Sequence, residues 1–221
     1  MKLILGDCIT EMQKMDSSCV DMVFTSPPYN RKRNDKYQSF DDSIDDYLGF
    51  LVASIDEMLR VSRGPVFFNI QKNFYNKIDV FKLFGHYAEQ IYDVFIWGKS
   101  QPIPANGGKS ITNAYEFIIC FGNNVRSNRI YTKNHFVTGN AKMTKQHRAM
   151  MHPEVADLFI QDFSSEGQTV LDPFMGMGTT AISCLKFNRK FIGIEIAQEY
   201  FDHAKANIQM VTTAKRSEFV D

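Results

Sequence analysis

The sequence predicts an α/β protein built on a doubly wound, mostly parallel sheet, and three observations carry that expectation. Short apolar runs at residues 3–5, 20–24, 65–70, 92–97, 169–171 and 191–194 alternate with stretches whose apolar residues recur at helical spacing. The run at 169–171 leads into Asp172-Pro173-Phe174-Met175-Gly176-Met177-Gly178-Thr179-Thr180-Ala181, a glycine turn that opens a helix, and Glu195 ends the next run 19 positions after Gly176. An acidic residue about there holds ribose hydroxyls in nucleotide-binding sheets. Third, 221 residues with 44% apolar content suffice for one full core, so residues 1–221 are expected to form a single domain.

Taken in order, residues 3–5 form a short strand that ends at Gly6-Asp7-Cys8, before a helix over residues 9–15. A carboxylate at that strand end reads first as a helix N-cap. Residues 20–24 form a buried strand and residues 30–36 a polar, basic loop. Ser43-Ile44-Asp45-Asp46 resembles a capping box with Asp in place of Glu, and Ile44, Leu48, Leu51, Ile55, Met58 and Leu59 mark a packing helix. Strand 65–70, helix 74–87 and strand 92–97 follow. The strand at 113–121 returns after a loop at 99–112, which predicts an antiparallel hairpin at the sheet edge. Gly107-Gly108-Lys109-Ser110 is not a phosphate loop, because the first glycine of that motif falls at Ile103. Residues 123–151 show no clear periodicity. Helix 153–163, helix 179–187 and a helix over about 197–210 complete the chain, with residues 211–221 expected to fray.

Cys8, Cys19, Cys120 and Cys184 have no Cys-x-x-Cys spacing, and the histidines show no zinc pattern, so neither disulfides nor a metal is implied. Cys8 and Cys184 read as small buried residues. No apolar run reaches membrane-spanning length, and Met1-Lys2-Leu3 leads into a strand, which predicts a soluble, intracellular, cytoplasmic protein. Formal net charge is zero, yet no acidic residue lies between Glu116 and Glu154, where Arg126, Arg129, Lys133, Lys142, Lys145 and Arg148 cluster. Arg31, Lys32 and Arg33 form a second basic group, and Asp41, Asp42, Asp45 and Asp46 an acidic one. Such runs are commonly solvated loops; uncompensated positive charge is also what phosphate binding needs.

Thr25-Ser26-Pro27-Pro28-Tyr29-Asn30 follows the strand at 20–24 and so sits at the sheet edge where open α/β folds place their chemistry. Two prolines remove two backbone donors and leave the carbonyls of Ser26 and Pro27 free to accept hydrogen bonds. Tyr29 offers a flat face and Ser26 a hydroxyl. A planar, amine-bearing group fits that arrangement, although alone Pro-Pro-Tyr also reads as a polyproline turn or docking peptide.

With the glycine turn beside it, this motif resembles those of the S-adenosylmethionine-dependent DNA amino-methyltransferases, in the permuted group whose target-base half precedes the cofactor half. The resemblance covers residues 3–29 and 43–205. It implies a Rossmann-like methyltransferase fold, S-adenosylmethionine as cofactor, double-stranded DNA as substrate, and Ser26, Pro27, Pro28 and Tyr29 as the catalytic loop. Asp172, Phe174, Gly176 and Gly178 would shape the cofactor pocket, Thr179 and Thr180 would bind the methionine carboxylate, Glu195 the ribose, and Asp7 and Cys8 the adenine. Residues 123–151 would be a short target-recognition insert. Arg31, Lys32, Arg33, Arg126, Arg129, Lys133, Lys142 and Lys145 would meet DNA. Ala114-Tyr115-Glu116-Phe117 matches a family segment that follows a Trp-x-Lys strand, and the helix at 153–163 the one that closes over the methionine end, although residues 147–152 depart from the family's usual His-Pro-Ala.

Serine before Pro-Pro-Tyr is more common in enzymes of cytosine N4, aspartate in those of adenine N6, so the resemblance favours cytosine N4. It also suggests a homodimer, while the presence of a cognate restriction endonuclease is not written in the sequence. A nicotinamide-dependent dehydrogenase would share the glycine turn but leave Ser26 to Tyr29 without purpose. Protein-glutamine and RNA methyltransferases carry Pro-Pro-Tyr downstream of the glycines, the reverse of the order here. A non-catalytic DNA-binding subunit is the remaining alternative.

Overall fold

The structure, a computed structural model, describes residues 1–31, 43–102, 111–123, 125–139 and 151–217. Its elements are β1 (Lys2–Leu5), α1 (Cys8–Gln13), β2 (Met22–Thr25), α2 (Tyr47–Val61), β3 (Val66–Ile70), α3 (Lys77–His86), β4 (Ile91–Lys99), β5 (Tyr115–Phe121), β6 (His135–Thr138), α4 (Pro153–Phe163), β7 (Thr169–Asp172), α5 (Thr179–Lys186), β8 (Lys190–Glu195) and α6 (Gln198–Ser217). One 8-stranded sheet runs in the order β1-β8-β7-β2-β3-β5-β4-β6. β1, β8, β7, β2 and β3 are parallel; β5 is antiparallel to both β3 and β4, and β6 runs parallel to β4.

Side chains alternate across the strands, so each face receives its own core. Val23, Val66 and Phe68 meet Met12, Leu51, Ile55 and Val80 from α1, α2 and α3. Phe24, Phe67 and Val170 meet Phe159, Ala181 and Ala204 from α4, α5 and α6 on the other face. The sheet is therefore doubly wound, as expected. On α4, Phe159 stacks on Phe24 at 5.2 Å, and its N-cap His152 accepts a hydrogen bond from Glu154 N at 3.3 Å. Burying one such ring contributes about 2–3 kcal/mol, against about 1 kcal/mol for a cap. Packing, not capping, seats α4.

Three local expectations change. The β4–β5 hairpin is antiparallel, but it lies inside the sheet: β6, from the stretch without periodicity, takes the edge beyond β4. A 4-residue strand with one outer neighbour is too short to show a pattern in sequence. The helix expected from Ser43 starts at Tyr47, because Asp46 is the residue whose carboxylate accepts from Gly49 N at 3.0 Å. Phe74 and Tyr75, expected on a helix, precede α3 and are exposed. Among the described residues, no helix is long and apolar enough to cross a membrane and no His/Cys/Asp/Glu cluster would hold a metal ion. Lys32, Arg33, Lys142, Lys145, Arg148, Asp41, Asp42 and the segment 107–110 lie outside the described residues.

Candidate active site

β2 and β7 are adjacent parallel strands. The chain leaving β2 leads to α2 on one face and the chain leaving β7 leads to α5 on the other. Such a divergence opens a crevice at the strands' carboxyl ends. Ser26 to Tyr29 form one lip and Phe174 to Gly178 the other. The lips are tied by Thr25 at the end of β2, whose hydroxyl donates to Asp172 Oδ1 at 2.6 Å across 147 positions of sequence.

On the glycine side, Gly176 and Gly178 adopt φ of +51° and +85°, the left-handed region that favours glycine. A Cβ at Gly176 would meet little but open space, so the backbone there faces the crevice bare. Glu195 accepts from Gly176 N and Ala197 N, both at 2.8 Å, which locks the turn to the end of β8. Burial raises its carboxyl above the ordinary range, with the backbone donors opposing. Phe174 meets Phe50 edge-on at 5.8 Å. Asp7 accepts from Thr10 N at 2.9 Å and caps α1, while Cys8 turns into the core, where burial pushes its thiol up to about 12.

Two of the expected residues on this side have partners inside the fold. The Thr180 hydroxyl donates to Asp172 Oδ2 at 2.6 Å and is buried, so it is occupied inside the fold and not presented to a ligand. Asp172 itself also accepts from Phe174 N at 3.1 Å and so holds the turn that shapes the pocket. Burial pushes its carboxyl up to about 6 against the pull of the Thr180 and Thr25 hydrogen bonds. Thr179, half-buried at the start of α5, has no hydroxyl partner among the described residues.

On the other lip, Asn30 takes φ of +48° and exchanges hydrogen bonds with Ile44 N and O, fixing the loop's exit. The Pro28 carbonyl accepts from Tyr47 and that of Tyr29 from Asn73 and Asn76. Among the described residues no donor reaches the carbonyls of Ser26 and Pro27. The Tyr29 hydroxyl does not face outward: it donates to Glu116 Oε2 at 2.8 Å and lies 2.8 Å from Ser26 Oγ. Asn69 Nδ2 lies 2.7 Å from Glu116 Oε2, 2.7 Å from the Tyr29 hydroxyl and 3.2 Å from Ser26 Oγ. Lys99 forms an ion pair with Glu116 Oε1. Burial, then the negative charge of Glu116, holds the Tyr29 phenol well above its ordinary pKa. The Arg31 guanidinium lies over the Tyr29 ring, 5.4 Å from its centre, and donates to Gln71 Oε1 at 2.9 Å.

Asn69, Lys99 and Glu116 were not among the expected site residues. The signal available was a polar residue inside the strand runs at 65–70 and 113–121 and, for Lys99, just beyond the run at 92–97.

The basic residues divide. The segment after β5 returns to the amino-terminal end of the parallel strands, where Asn128 N donates to Asp162 O at the end of α4. Arg129 is ion-paired there with buried Asp162 at 2.7 Å, and Arg126 lies in the same stretch. Lys133 lines a shallow surface pocket with Asp93, Tyr131 and His135. Asp93 and Lys99 are six residues apart on β4, roughly 20 Å at strand rise, so Arg126, Arg129 and Lys133 lie at the end of the sheet opposite the crevice. Chain direction decides this, because β5 carries the chain away from the site before those residues begin.

Residues 20–206 match the family described as DNA methylase, the N6/N4 group. The chain belongs to that family. It is 26% identical over 96% of its length to the Type II methyltransferase M.MwoI of Methanothermobacter wolfeii, and 24% identical over 95% to the Type II methyltransferase M.HinfI of Haemophilus influenzae. It spans 34% of the first relative and 68% of the second. Among solved structures, the methylase chain superposes on the PvuII DNA methyltransferase (cytosine-N4-specific) with a TM-score of 0.77 at 16% identity, covering 92% of this chain and 84% of that one. The M1.HpyAVI–SAM complex gives 0.68 at 20% identity, covering 94% and 98%. These two share the fold.

Proposed function

We propose that this protein transfers a methyl group from S-adenosylmethionine to the exocyclic N4 of cytosine in DNA. The observation that carries the reading is the junction of the two lips: the Ser26–Tyr29 loop and the glycine turn leave adjacent parallel strands and are bound together by Thr25 and Asp172. The similar structures, one of a cytosine-N4-specific enzyme and one a complex with SAM, support the choice of base and methyl donor.

The residues present fit that cofactor. The bare backbone at Gly176, the open N–H groups at the start of α5, and Asp7 and Glu195 at the ends of β1 and β8 surround one cleft. Glu195 would hold the ribose with the lone pairs its backbone donors leave over. Thr179 and the first amides of α5 would hold the methionine carboxylate; Phe174 and Asp7 would border the adenine. When bound, the cofactor supplies an electrophilic methyl on a sulfonium, a good leaving group.

An exocyclic amine is a weak nucleophile because its lone pair is delocalised into the ring. Its base must also leave the stack, at a cost of a few kcal/mol. The Ser26 and Pro27 carbonyls would accept the amine hydrogens, favouring a more tetrahedral nitrogen and stabilising the positive charge that grows on it. Alignment of nitrogen with the methyl supplies the rest. Arg31, beside the loop, and the basic residues at 32–33, 142 and 145 would meet phosphates. The relatives' names support a restriction–modification setting with an accompanying endonuclease.

The test is to incubate the protein with S-adenosylmethionine and unmethylated bacterial DNA, digest to nucleosides and identify the product by mass spectrometry. N4-methylcytosine is expected. N6-methyladenine would overturn the base assignment and leave the methyl transfer standing, while no methylated base would overturn the reaction.

A further inference from the structure

The hydrogen-bond network behind the Ser26–Tyr29 loop has a direction. Glu116 is paired with the Lys99 ammonium on Oε1 and receives an Asn69 N–H on Oε2, so it is a carboxylate surrounded by donors. A carboxylate only accepts. The 2.8 Å contact from the Tyr29 hydroxyl to Glu116 Oε2 therefore uses the one proton that the phenol has. That leaves the 2.8 Å contact between Ser26 Oγ and the Tyr29 hydroxyl a single solution: Ser26 donates and Tyr29 accepts. The Asn69 amide only adds donors to this cluster. Its opposite orientation would set Oδ1 against the Glu116 carboxylate at 2.7 Å, so Nδ2 faces the cluster and Oδ1 is left buried without a partner among the described residues.

We propose that Glu116, acting through Tyr29, turns the Ser26 hydroxyl proton away from the crevice, so that Ser26 presents lone pairs only and behaves toward the substrate as an acceptor. It then welcomes an amine hydrogen and opposes any base that would place a carbonyl oxygen or ring nitrogen there. Glu116 is a positioning residue in this scheme, and the ion pair with Lys99 holds it in place. The inference rests on the methyl-transfer reading and specifies how its substrate amine is selected.

Glu116→Gln reverses the relay without changing shape. The new amide N–H groups donate to the Tyr29 oxygen and to Asn69, which flips to offer its idle Oδ1; the phenol proton then has that Oδ1 and Ser26 Oγ as its acceptors, and where it turns to Ser26 the serine proton turns into the crevice. We expect kcat to fall about 100-fold, the scale of losing one group that stabilises developing charge, with KM for DNA and the thermal shift induced by S-adenosylhomocysteine little changed. Tyr29→Phe frees the serine rotor without reversing it and should cost less, about tenfold. In the Tyr29→Phe background Glu116→Gln should add almost nothing, because its effect travels through the phenol. Full additivity of the two substitutions, or a smaller loss from Glu116→Gln than from Tyr29→Phe, would overturn the relay. Neutron diffraction of deuterated crystals separates this from the reaction itself. A Ser26 deuteron aimed at Tyr29 supports the relay even where wild-type protein methylates nothing, and one aimed into the crevice sinks it even in an active enzyme.

Discussion

Asp172 and Glu116 are both buried carboxylates at the carboxyl edge of the sheet, one behind each lip of the crevice, and they are held by different chemistry. Asp172 has four lone-pair directions met by two hydroxyls and one backbone amide, with no cation in contact among the described residues. Glu116 has the Lys99 ammonium. Neutral donors orient a carboxylate but compensate its desolvation only in part, which is why Asp172 is pushed up to about 6 from 3.8. The cofactor lip is thus braced by a carboxylate that is costly to ionise, the base lip by one whose charge is matched and whose proton acceptance sets the polarity of Ser26.

The first consequence concerns stability against pH. Between about pH 4 and pH 6 native Asp172 binds a proton that the unfolded chain has released, so stability falls as pH rises through that window and levels off above it. The shift corresponds to about 3 kcal/mol. Asp172→Asn keeps partners for Thr25, Thr180 and Phe174 N while removing the charge. Urea unfolding from pH 4 to 7.5 should show that fall in wild type and a flatter profile in the variant. Parallel profiles would mean that the charge of Asp172 is compensated after all.

Next in size is Lys99→Met, which strips the cation from Glu116. Leaving a buried carboxylate unpaired should destabilise by about 2 kcal/mol, less than for a fully enclosed pair because the lysine side chain is 27% exposed. With the cation gone the carboxylate is no longer held in place, and methyl transfer should fall as well. Chemical denaturation and single-turnover transfer measure the two effects; loss of stability with undiminished transfer would separate Lys99 from the relay. The smallest expected effect is at the far end of the sheet. Lys133→Ala should leave DNA affinity and its salt dependence unchanged, whereas Arg31→Ala should reduce the salt slope. A reduced slope for Lys133→Ala in a filter-binding titration would bring DNA around to that end.

The parts of the site legible in sequence are those in which function and local backbone coincide. Gly176 and Gly178 sit at positive φ because the turn requires it, Asp7 caps a helix at a strand end, and Pro27 and Pro28 leave free carbonyls because proline brings no donor. Thr180 and Arg129 were misassigned for a shared reason: each type suits a ligand, and only the fold supplies the internal partner, Asp172 or Asp162, that occupies it. Asn69 gave no motif of its own, and Lys99 and Glu116 lie in matched segments to which no role was assigned. Each is one polar position on a mostly apolar strand, and their meeting with Tyr29 depends on β5 running antiparallel between β3 and β4.

Sequence by itself determined the alternation of strands and helices, the conformation of both crevice lips and the family to which they belong, because these follow from residue type and spacing within a dozen positions. Tertiary structure alone decided that Thr25 and Asp172 join the lips across 147 residues and that Glu116 faces Tyr29 across 87. It also decided that Arg126, Arg129 and Lys133 lie at the opposite end of the sheet. Strand order and direction set all three, and both are fixed by how two apolar faces are covered, not by any local preference of the residues concerned.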